Sequence, residues 1–256
     1  MKDLLLPRHR AVLERLARSR TLVAFDYDGV LAPIVRDPAG ARMPRATRRL
    51  LARLAQAWPV AVVSGRAYVD TLRLSEGVAP HVVGNHGYEL LRARRVPGGV
   101  VAQVAGWRAA LERDLAPVRG WFIEDKRSTL AVHYGLERRW RTAEAAVYRA
   151  AAQLEGARLV NGKKVLNVLP AAFPNKGDAV VALLARLKLD VALYLGDDVT
   201  DEDAFAIGPP RVVGVRVGRG RRSAASWRIA SQRQVDELLE VLIALRAPSA
   251  SVSQTR

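Results

Sequence analysis

The sequence predicts an α/β fold: a parallel-sheet core interrupted by a smaller α+β domain. Three observations carry that reading. Short apolar runs of strand length recur, each ending in acidic, small polar or glycine residues. Segments with apolar residues at helical spacing separate them, the alternation expected of right-handed βαβ crossovers. Between residues 93 and 171 the pattern changes to helix–hairpin–helix–hairpin, which is an antiparallel arrangement.

In chain order, residues 8–19 read as a helix with Val12 and Leu16 on one face. Thr21–Phe25 reads as a strand buried on both faces, closing in Asp26-Tyr27-Asp28-Gly29-Val30-Leu31. A loop with Pro33, Pro38 and Gly40 follows. Pro44 then opens a helix carrying Leu50, Leu51, Leu54 and Trp58, which Pro59 ends. Val60–Val63 is a second buried strand, ending in Ser64-Gly65-Arg66. Val82-Val83 is a third, ending in Gly84-Asn85-His86-Gly87-Tyr88-Glu89.

Residues 93–99 read as a linker. A helix with Trp107, Leu111, Leu115 and Val118 along one side leads to paired strands, Gly120–Lys126 and Thr129–Tyr134. A second helix carries Trp140, Ala143, Val147, Ala151 and Leu154, and a second hairpin is expected to turn at Asn161-Gly162. The parallel pattern resumes with a helix opened by Asn175-Lys176-Gly177-Asp178, with Val180, Val181, Leu184 and Leu187 inward. Asp190–Leu195 is a strand ending in Gly196-Asp197-Asp198-Val199-Thr200-Asp201-Glu202-Asp203. Val212–Val217 is another strand, and Val235–Leu245 is a closing helix. Residues 1–92 and 172–247 are therefore expected to form one discontinuous core domain. Residues 93–171 form an inserted domain, and 248–256 form a disordered tail.

Composition narrows the function classes. With 256 residues, half of them hydrophobic, the chain can bury a substantial core. No apolar run is long enough to span a membrane, and the first residues lack a secretory pattern, so a cytoplasmic protein is expected. The absence of cysteine rules out disulfides and thiolate metal sites. The net charge of +16 raises nucleic acid as a partner. However, 35 of the 41 basic residues are Arg, scattered through nearly every segment, with the densest cluster at Arg216–Arg222. That distribution suits solubility better than one binding face, and nucleic acid is the minor reading.

The strand ends carry the chemistry. In open α/β sheets, ligands bind at the C-terminal edge of the strands, and here that edge would gather Asp26, Asp28, Ser64, Arg66, Asp197, Asp198 and Asp201. Paired aspartates repel unless a cation lies between them, and oxygen-only donors suit Mg2+. A solvated Asp/Gly turn is the plain alternative. Lys176, in the first turn of a helix, opposes the helix dipole unless an anion is bound there; otherwise it is a snorkelling surface lysine. One acid would suffice to cap the short helix after Asp198, yet Asp197–Asp203 holds five, and the excess favours a metal. His86 reads equally well as structural. Alternation puts Phe122, Glu124 and Lys126 on one strand face, which could grip sugar hydroxyls or simply be a solvated ion pair.

The order Asp-x-Asp-Gly, Ser-Gly-Arg, Lys-Gly, Gly-Asp-Asp resembles the haloacid dehalogenase-like phosphatases. Fuller strings are similar to their trehalose-6-phosphate phosphatase branch: Asp26 to Ile34, Gly84 to Glu89, Glu124-Asp125-Lys126, His133-Tyr134 and Gly196 to Asp203. The likeness runs from about residue 21 to 245. It implies a Rossmann-like core with an α+β cap, and hydrolysis of trehalose 6-phosphate through an aspartyl-phosphate. In that scheme Asp26 is the nucleophile, Asp28 the acid and base, and Ser64 and Lys176 hold the phosphate. Mg2+ would sit on Asp26, the Asp28 carbonyl and Asp197, with Asp198 and Asp201 behind. Arg66, Asn85, His86, Glu124, Lys126, His133 and Asn167 would contact the substrate. A trehalose-phosphate synthase is the implied partner.

Two positions depart from the family's pattern. Asn167 stands where a Glu is usual, and Gly135 where an Arg is common. Val30 replaces a common Thr with less consequence. Both main departures bear on the sugar, so another glycosyl phosphate is the first alternative substrate. A catalytically silent regulatory relative is the second alternative, against which the intact Asp26, Asp28, Lys176 and Asp197 argue.

Overall fold

The computed structural model describes residues 1–35, 40–90, 97–135, 140–162, 164–220 and 222–246. Among these described residues, twelve strands form two sheets. The first has eight strands: β1 (Lys2–Asp3), β2 (Thr21–Phe25), β3 (Val60–Val63), β4 (His81–Gly84), β5 (Glu89–Leu90), β10 (Val191–Gly196), β11 (Val212–Val217) and β12 (Trp227–Ile229). Their order is β1-β12-β11-β10-β2-β3-β4-β5. Every pairing is parallel except β4–β5. The strand that carries Asp26 at its end therefore lies in the interior of the sheet, between β10 and β3.

Alternation along these strands feeds two cores. Val23 and Phe25 of β2 face one side, with Val60, Val62, Leu193 and Leu195. Helices α1 (Arg10–Arg18), α2 (Arg45–Ala57), α3 (Tyr68–Leu74) and α8 (Arg233–Arg246) cover that side through Leu13, Leu16, Leu51, Leu54, Leu74, Leu238, Leu239 and Leu242. Leu22 and Ala24 face the other side. There α6 (Lys176–Leu187) and α7 (Glu202–Phe205) supply Val180, Leu183, Leu184 and Phe205. Burial on both faces explains why each strand reads as an unbroken apolar run.

The second sheet is antiparallel, in the order β6-β7-β9-β8, from β6 (Phe122–Asp125), β7 (Leu130–His133), β8 (Ala157–Gly162) and β9 (Val165–Pro170). One face packs Leu130, Val132, Leu166 and Val168 on α4 (Gly98–Leu115) and α5 (Trp140–Ala151), through Trp107, Leu111, Ala143 and Val147. The register aligns Glu124, Ala131 and Asn167 across three neighbouring strands, which puts them together on the opposite face.

Some expectations are corrected. The second hairpin does not turn at Asn161-Gly162. Those residues end β8, paired with Leu166 and Val165, and the connection lies one step later, with Lys164 at φ 60°. Asn-Gly marks a turn only when the pair falls between the paired residues, and here the alternation of Leu166 and Val168 into the core sets the register instead. In α6 the inward positions include Ala179 and Leu183, while Val181 and Leu187 are half-buried. The hairpin strands are shorter than their apolar runs. The expected boundary at 92/93, most of the 93–99 linker, Pro38 and the 248–256 tail lie outside the described residues. No described helix is long and apolar enough to cross a membrane.

Candidate active site

Because β10, β2 and β3 run parallel in register, their C-terminal ends place Asp197, Asp26 and Ser64 side by side. Asp26 is buried; its Oδ1 accepts the Tyr27 amide (2.7 Å) and its Oδ2 lies 3.0 Å from Lys176 Nζ. Lys176 is only 2 % exposed and also donates to Asp201 Oδ1 at 2.7 Å. An Asn175–Asp178 capping box starts α6 one residue earlier and so fixes where the ammonium enters. Lys176 is therefore a buried cation between two carboxylates, and no longer reads as a snorkelling surface residue. Burial alone would lower its pKa, but Asp201 and Asp26 outweigh it and the net shift is upward.

Asp201 is the structural centre of the acidic stretch. Its Oδ1 accepts Lys176 Nζ and the Tyr194 hydroxyl, both at 2.7 Å. Its Oδ2 accepts the amides of Asp197 and Asp198, both at 2.9 Å. These four donors fill the acceptor capacity of a carboxylate. The five acids thus divide their work. Asp201 folds the loop, and Glu202 binds Arg216 (3.0 Å) and the Ala224 amide (2.8 Å). Asp198 sits at the N-cap of the 3-10 turn Val199–Asp201. Asp203 is partly buried, which raises its pKa.

The donors left for a cation are Asp26 and Asp197. Asp26, Asp197 and Asp201 offer carboxylate oxygens within 4.8 Å of one another, a group that could hold a metal. Asp197 Oδ1 is buried with no hydrogen-bond partner among the described residues, and a Cβ at Gly29 (φ 80°) would overlap its carboxylate. Burial, and then the neighbouring acids Asp201 and Asp198, push the Asp197 pKa up to about 7. Asp26 is raised well above the carboxylate range, by burial first, with Lys176 opposing. Three clustered carboxylates against one ammonium, with one oxygen unpartnered, fit a hard divalent cation.

This sets a pH-dependent expectation. Between the ordinary aspartate range and about pH 7, the folded chain keeps the Asp197 proton that the unfolded chain has lost, so this group makes stability fall as pH rises through that window. A divalent cation reverses the cost only where the proton is gone. Magnesium should therefore raise the melting temperature by about 5 °C or more at pH 8 and by clearly less at pH 5.5. Asp197→Asn should abolish the metal response at both. Thermal denaturation with and without metal checks this, and an equal rise at both pH values would contradict it.

The other candidate residues are placed as follows. Asp28 is held by the Arg66 fork, at 2.6 and 2.7 Å, and its carboxylate is outside the group formed by Asp26, Asp197 and Asp201. Ser64 is buried and its Oγ accepts the Arg66 amide (3.2 Å). His86 is wedged against Gly65, and neither ring nitrogen has a partner among the described residues. Burial lowers its pKa strongly, with Lys126, Lys176 and Arg158 adding to the effect, so the ring is neutral beside Asn167. The side-chain amide of Asn167 donates to the Val160 carbonyl (3.3 Å). Lys126 lies just past β6 and reaches the Gly65 carbonyl (3.4 Å). Burial lowers its pKa, while nearby Glu124 opposes this.

Glu124 bonds His133 Nε2 (3.2 Å), and His133 stacks on Phe122 with ring centroids 4.3 Å apart. The His133 bond is the main cause of the lowered Glu124 pKa. Asn85 is fully buried and faces Ser128, Thr129 and Glu89. Two contributors were not legible in the sequence. Tyr194 reads as one more residue of a buried strand, although a hydroxyl within an otherwise apolar run is a signal that it has a buried partner. Arg158, on β8, comes close enough to His86 to affect it because β8 lies against the strand-end loops of the first sheet, as its contact with the Val199–Asp201 turn shows.

The chain is similar to proteins of known type. A family model described as trehalose-phosphatase matches residues 24–237. The trehalose-phosphate phosphatase of Mycolicibacterium paratuberculosis is 34% identical over 251 residues, covering 89% of this chain and 63% of the relative. That of Mycobacterium tuberculosis is 34% identical over 248 residues, covering 89% and 62%. The chain thus spans less than two thirds of the length of these relatives. The C-terminal domain of trehalose-6-phosphate phosphatase from C. albicans superposes with a TM-score of 0.80 at 24% identity, over 95% of this chain and 98% of that one. The Aspergillus fumigatus trehalose-6-phosphate phosphatase superposes with a TM-score of 0.65 at 27% identity, over 95% and 100%.

Proposed function

The chain belongs to the trehalose-phosphatase family, and on that premise we propose that it is a magnesium-dependent phosphatase that hydrolyses trehalose 6-phosphate to trehalose and phosphate. The observation that carries the reading is the buried Asp26 carboxylate, held at 3.0 Å by Lys176 at the end of an interior strand, with Asp197 beside it. A carboxylate attacks a phosphate dianion only where positive charge offsets the repulsion. Mg2+ on Asp26, Asp197 and the Asp28 carbonyl, with Asp198 and Asp201 behind, would neutralise charge on nucleophile and phosphate when bound.

In this scheme an Asp26 oxygen bonds to phosphorus as the phosphorus–sugar-oxygen bond breaks. Asp28 gives its proton to the departing sugar oxygen. Asp28 then takes a proton from water, whose oxygen attacks phosphorus and returns the Asp26 carboxylate. Lys176 and Ser64 stabilise the phosphate oxygens as charge builds. Asp28 must leave the Arg66 fork to do this, and a substrate phosphate competing for Arg66 would release it. The 93–171 segment acts as the cap. Its face bearing Glu124, Lys126, His133 and Asn167, together with His86, reads the sugar.

Another glycosyl phosphate is the second reading, favoured by an observation at Gly135. A Cβ there would overlap the Lys164 side chain, whose ammonium lies over the Trp140 ring, so position 135 offers the sugar face no cation. Asn167→Glu restores a carboxylate for sugar hydroxyls. It should lower KM for trehalose 6-phosphate by about tenfold, the worth of one buried polar pairing, while p-nitrophenyl phosphate turnover stays within about twofold. An equal change on both would remove Asn167 from sugar recognition. Phosphate release from trehalose, sucrose and glucose 6-phosphates, with an EDTA control, tests the function itself. Preference for trehalose 6-phosphate supports it, metal-dependent preference for another moves the substrate, and inactivity on all overturns it.

A further inference from the structure

We propose that Asn85 is a positioning residue that pins the sugar-reading hairpin to the catalytic sheet, without touching substrate itself. This rests on the trehalose 6-phosphate reading of the site. Asn85, His86 and Gly87 lie in succession at φ 51°, 58° and 115°, a left-handed run that side chains disfavour and Asn tolerates better than most. Such strain persists only where surrounding contacts over-determine it.

Those contacts come from four segments. The amides of Asn85 and His86 donate to the carbonyls of Arg66 (2.6 Å) and Ser64 (3.0 Å), which ties the turn to the loop after β3. Gly87 lies against the carbonyl of Asn175, the residue before Lys176, so closely that a Cβ would collide. The side-chain amide of Asn85 donates to Ser128 Oγ at 2.7 Å and Glu89 Oε1 at 3.3 Å, while its Oδ1 accepts from Thr129 Oγ1 at 2.9 Å. Glu89 in turn accepts the Tyr68 amide at the start of α3.

Asn85, Ser128 and Thr129 are 0 %, 0 % and 2 % exposed. Both amide hydrogens of Asn85 are spent, its oxygen accepts from Thr129, and no part of the residue reaches the surface, so it does not meet a ligand. Ser128 and Thr129 close the turn between β6 and β7, two and three positions after Lys126, whose ammonium reaches Gly65. One buried amide therefore sets where Glu124 and Lys126 stand relative to Ser64 and Lys176. Loosening it should displace the sugar contacts while leaving the phosphate contacts in place.

Asn85→Gly keeps the left-handed backbone without steric cost and removes only the amide. Ser128→Ala and Thr129→Val cut the same bonds from the other side. The expected result is a KM for trehalose 6-phosphate raised about tenfold in Asn85→Gly and several-fold in the other two, roughly what one or two buried hydrogen bonds supply. kcat/KM for p-nitrophenyl phosphate should stay within about twofold, and Asn85→Gly with Ser128→Ala should be non-additive. Equal losses on both substrates, or an unchanged sugar KM, would overturn the proposal. If Asn85→Gly does not fold, the Ser128 and Thr129 variants decide. Should the wild type hydrolyse aryl phosphate but no sugar phosphate, the substrate reading fails by itself. Amide hydrogen exchange at residues 126–129 then decides: it should quicken in Asn85→Gly while that of β2 holds, and unchanged exchange overturns the proposal.

Discussion

On the proposed scheme Asp26→Asn should abolish phosphate release, lowering kcat by at least about 10^4-fold on any phosphomonoester, while the chain stays folded. Loss of a nucleophile costs this much because the surrounding groups cannot supply its bond to phosphorus. The fold survives for a local reason. Asn keeps an oxygen for the Tyr27 amide, and Lys176 keeps its 2.7 Å bond to Asp201. The substitution also takes one of two carboxylates from the buried Lys176 ammonium, so the thermal midpoint should fall, but by clearly less than on loss of Asp201. Turnover near wild type in a folded variant would place the nucleophile elsewhere.

Asp201→Ala has the opposite signature, a loss of stability of about 3–5 kcal/mol. The side chain satisfies four buried or half-buried donors: Lys176 Nζ, the Tyr194 hydroxyl and the amides of Asp197 and Asp198. Its removal leaves Lys176 with Asp26 as its one remaining ion-pair partner among the described residues and releases the loop that presents Asp197. Leaving a buried charge short of partners costs more than any one hydrogen bond contributes, because the desolvation is not recovered. Urea unfolding measures the loss, and activity should fall with it, since both Lys176 and Asp197 lose their positions. Destabilisation below about 1 kcal/mol would mean that the loop holds itself, and Asp201 would no longer be its centre.

These two aspartates mark where the sequence is legible and where it is not. The position of Asp26 is readable because Thr21–Phe25 is an unbroken apolar run and an acid follows it. The same logic places Ser64 and Asp197 at neighbouring strand ends. That Asp201 folds the loop is not readable, because its partners include Tyr194 from the strand before it and Lys176 from another helix. Sequence spacing reports which edge a residue reaches, not how its oxygens are shared there. The pairing of Asp28 with Arg66, 38 positions apart, is hidden for the same reason.

At the level of elements, β1 and β12 are too short, at two and three residues, to stand out from their surroundings. They become strands by completing the edge of a sheet whose interior the long apolar runs define. The Asn161-Gly162 hairpin shows a local turn preference yielding to register, since Leu166 and Val168 must both reach the core. Asn85 looks like a substrate ligand in the sequence because it follows a strand at the correct edge. Its burial beneath the β6–β7 turn depends on contact between two loops 43 and 44 positions apart, which no single segment encodes.

On the proposed scheme, Asp26 takes a phosphoryl group from trehalose 6-phosphate. A single-turnover reaction with phosphorus-labelled substrate and magnesium, quenched in acid, tests it most directly. The expected result is transient label on the peptide that contains Asp26, lost on treatment with hydroxylamine and absent from Asp26→Asn. Label on a different peptide, or product formed with no labelled protein at any time, would contradict it.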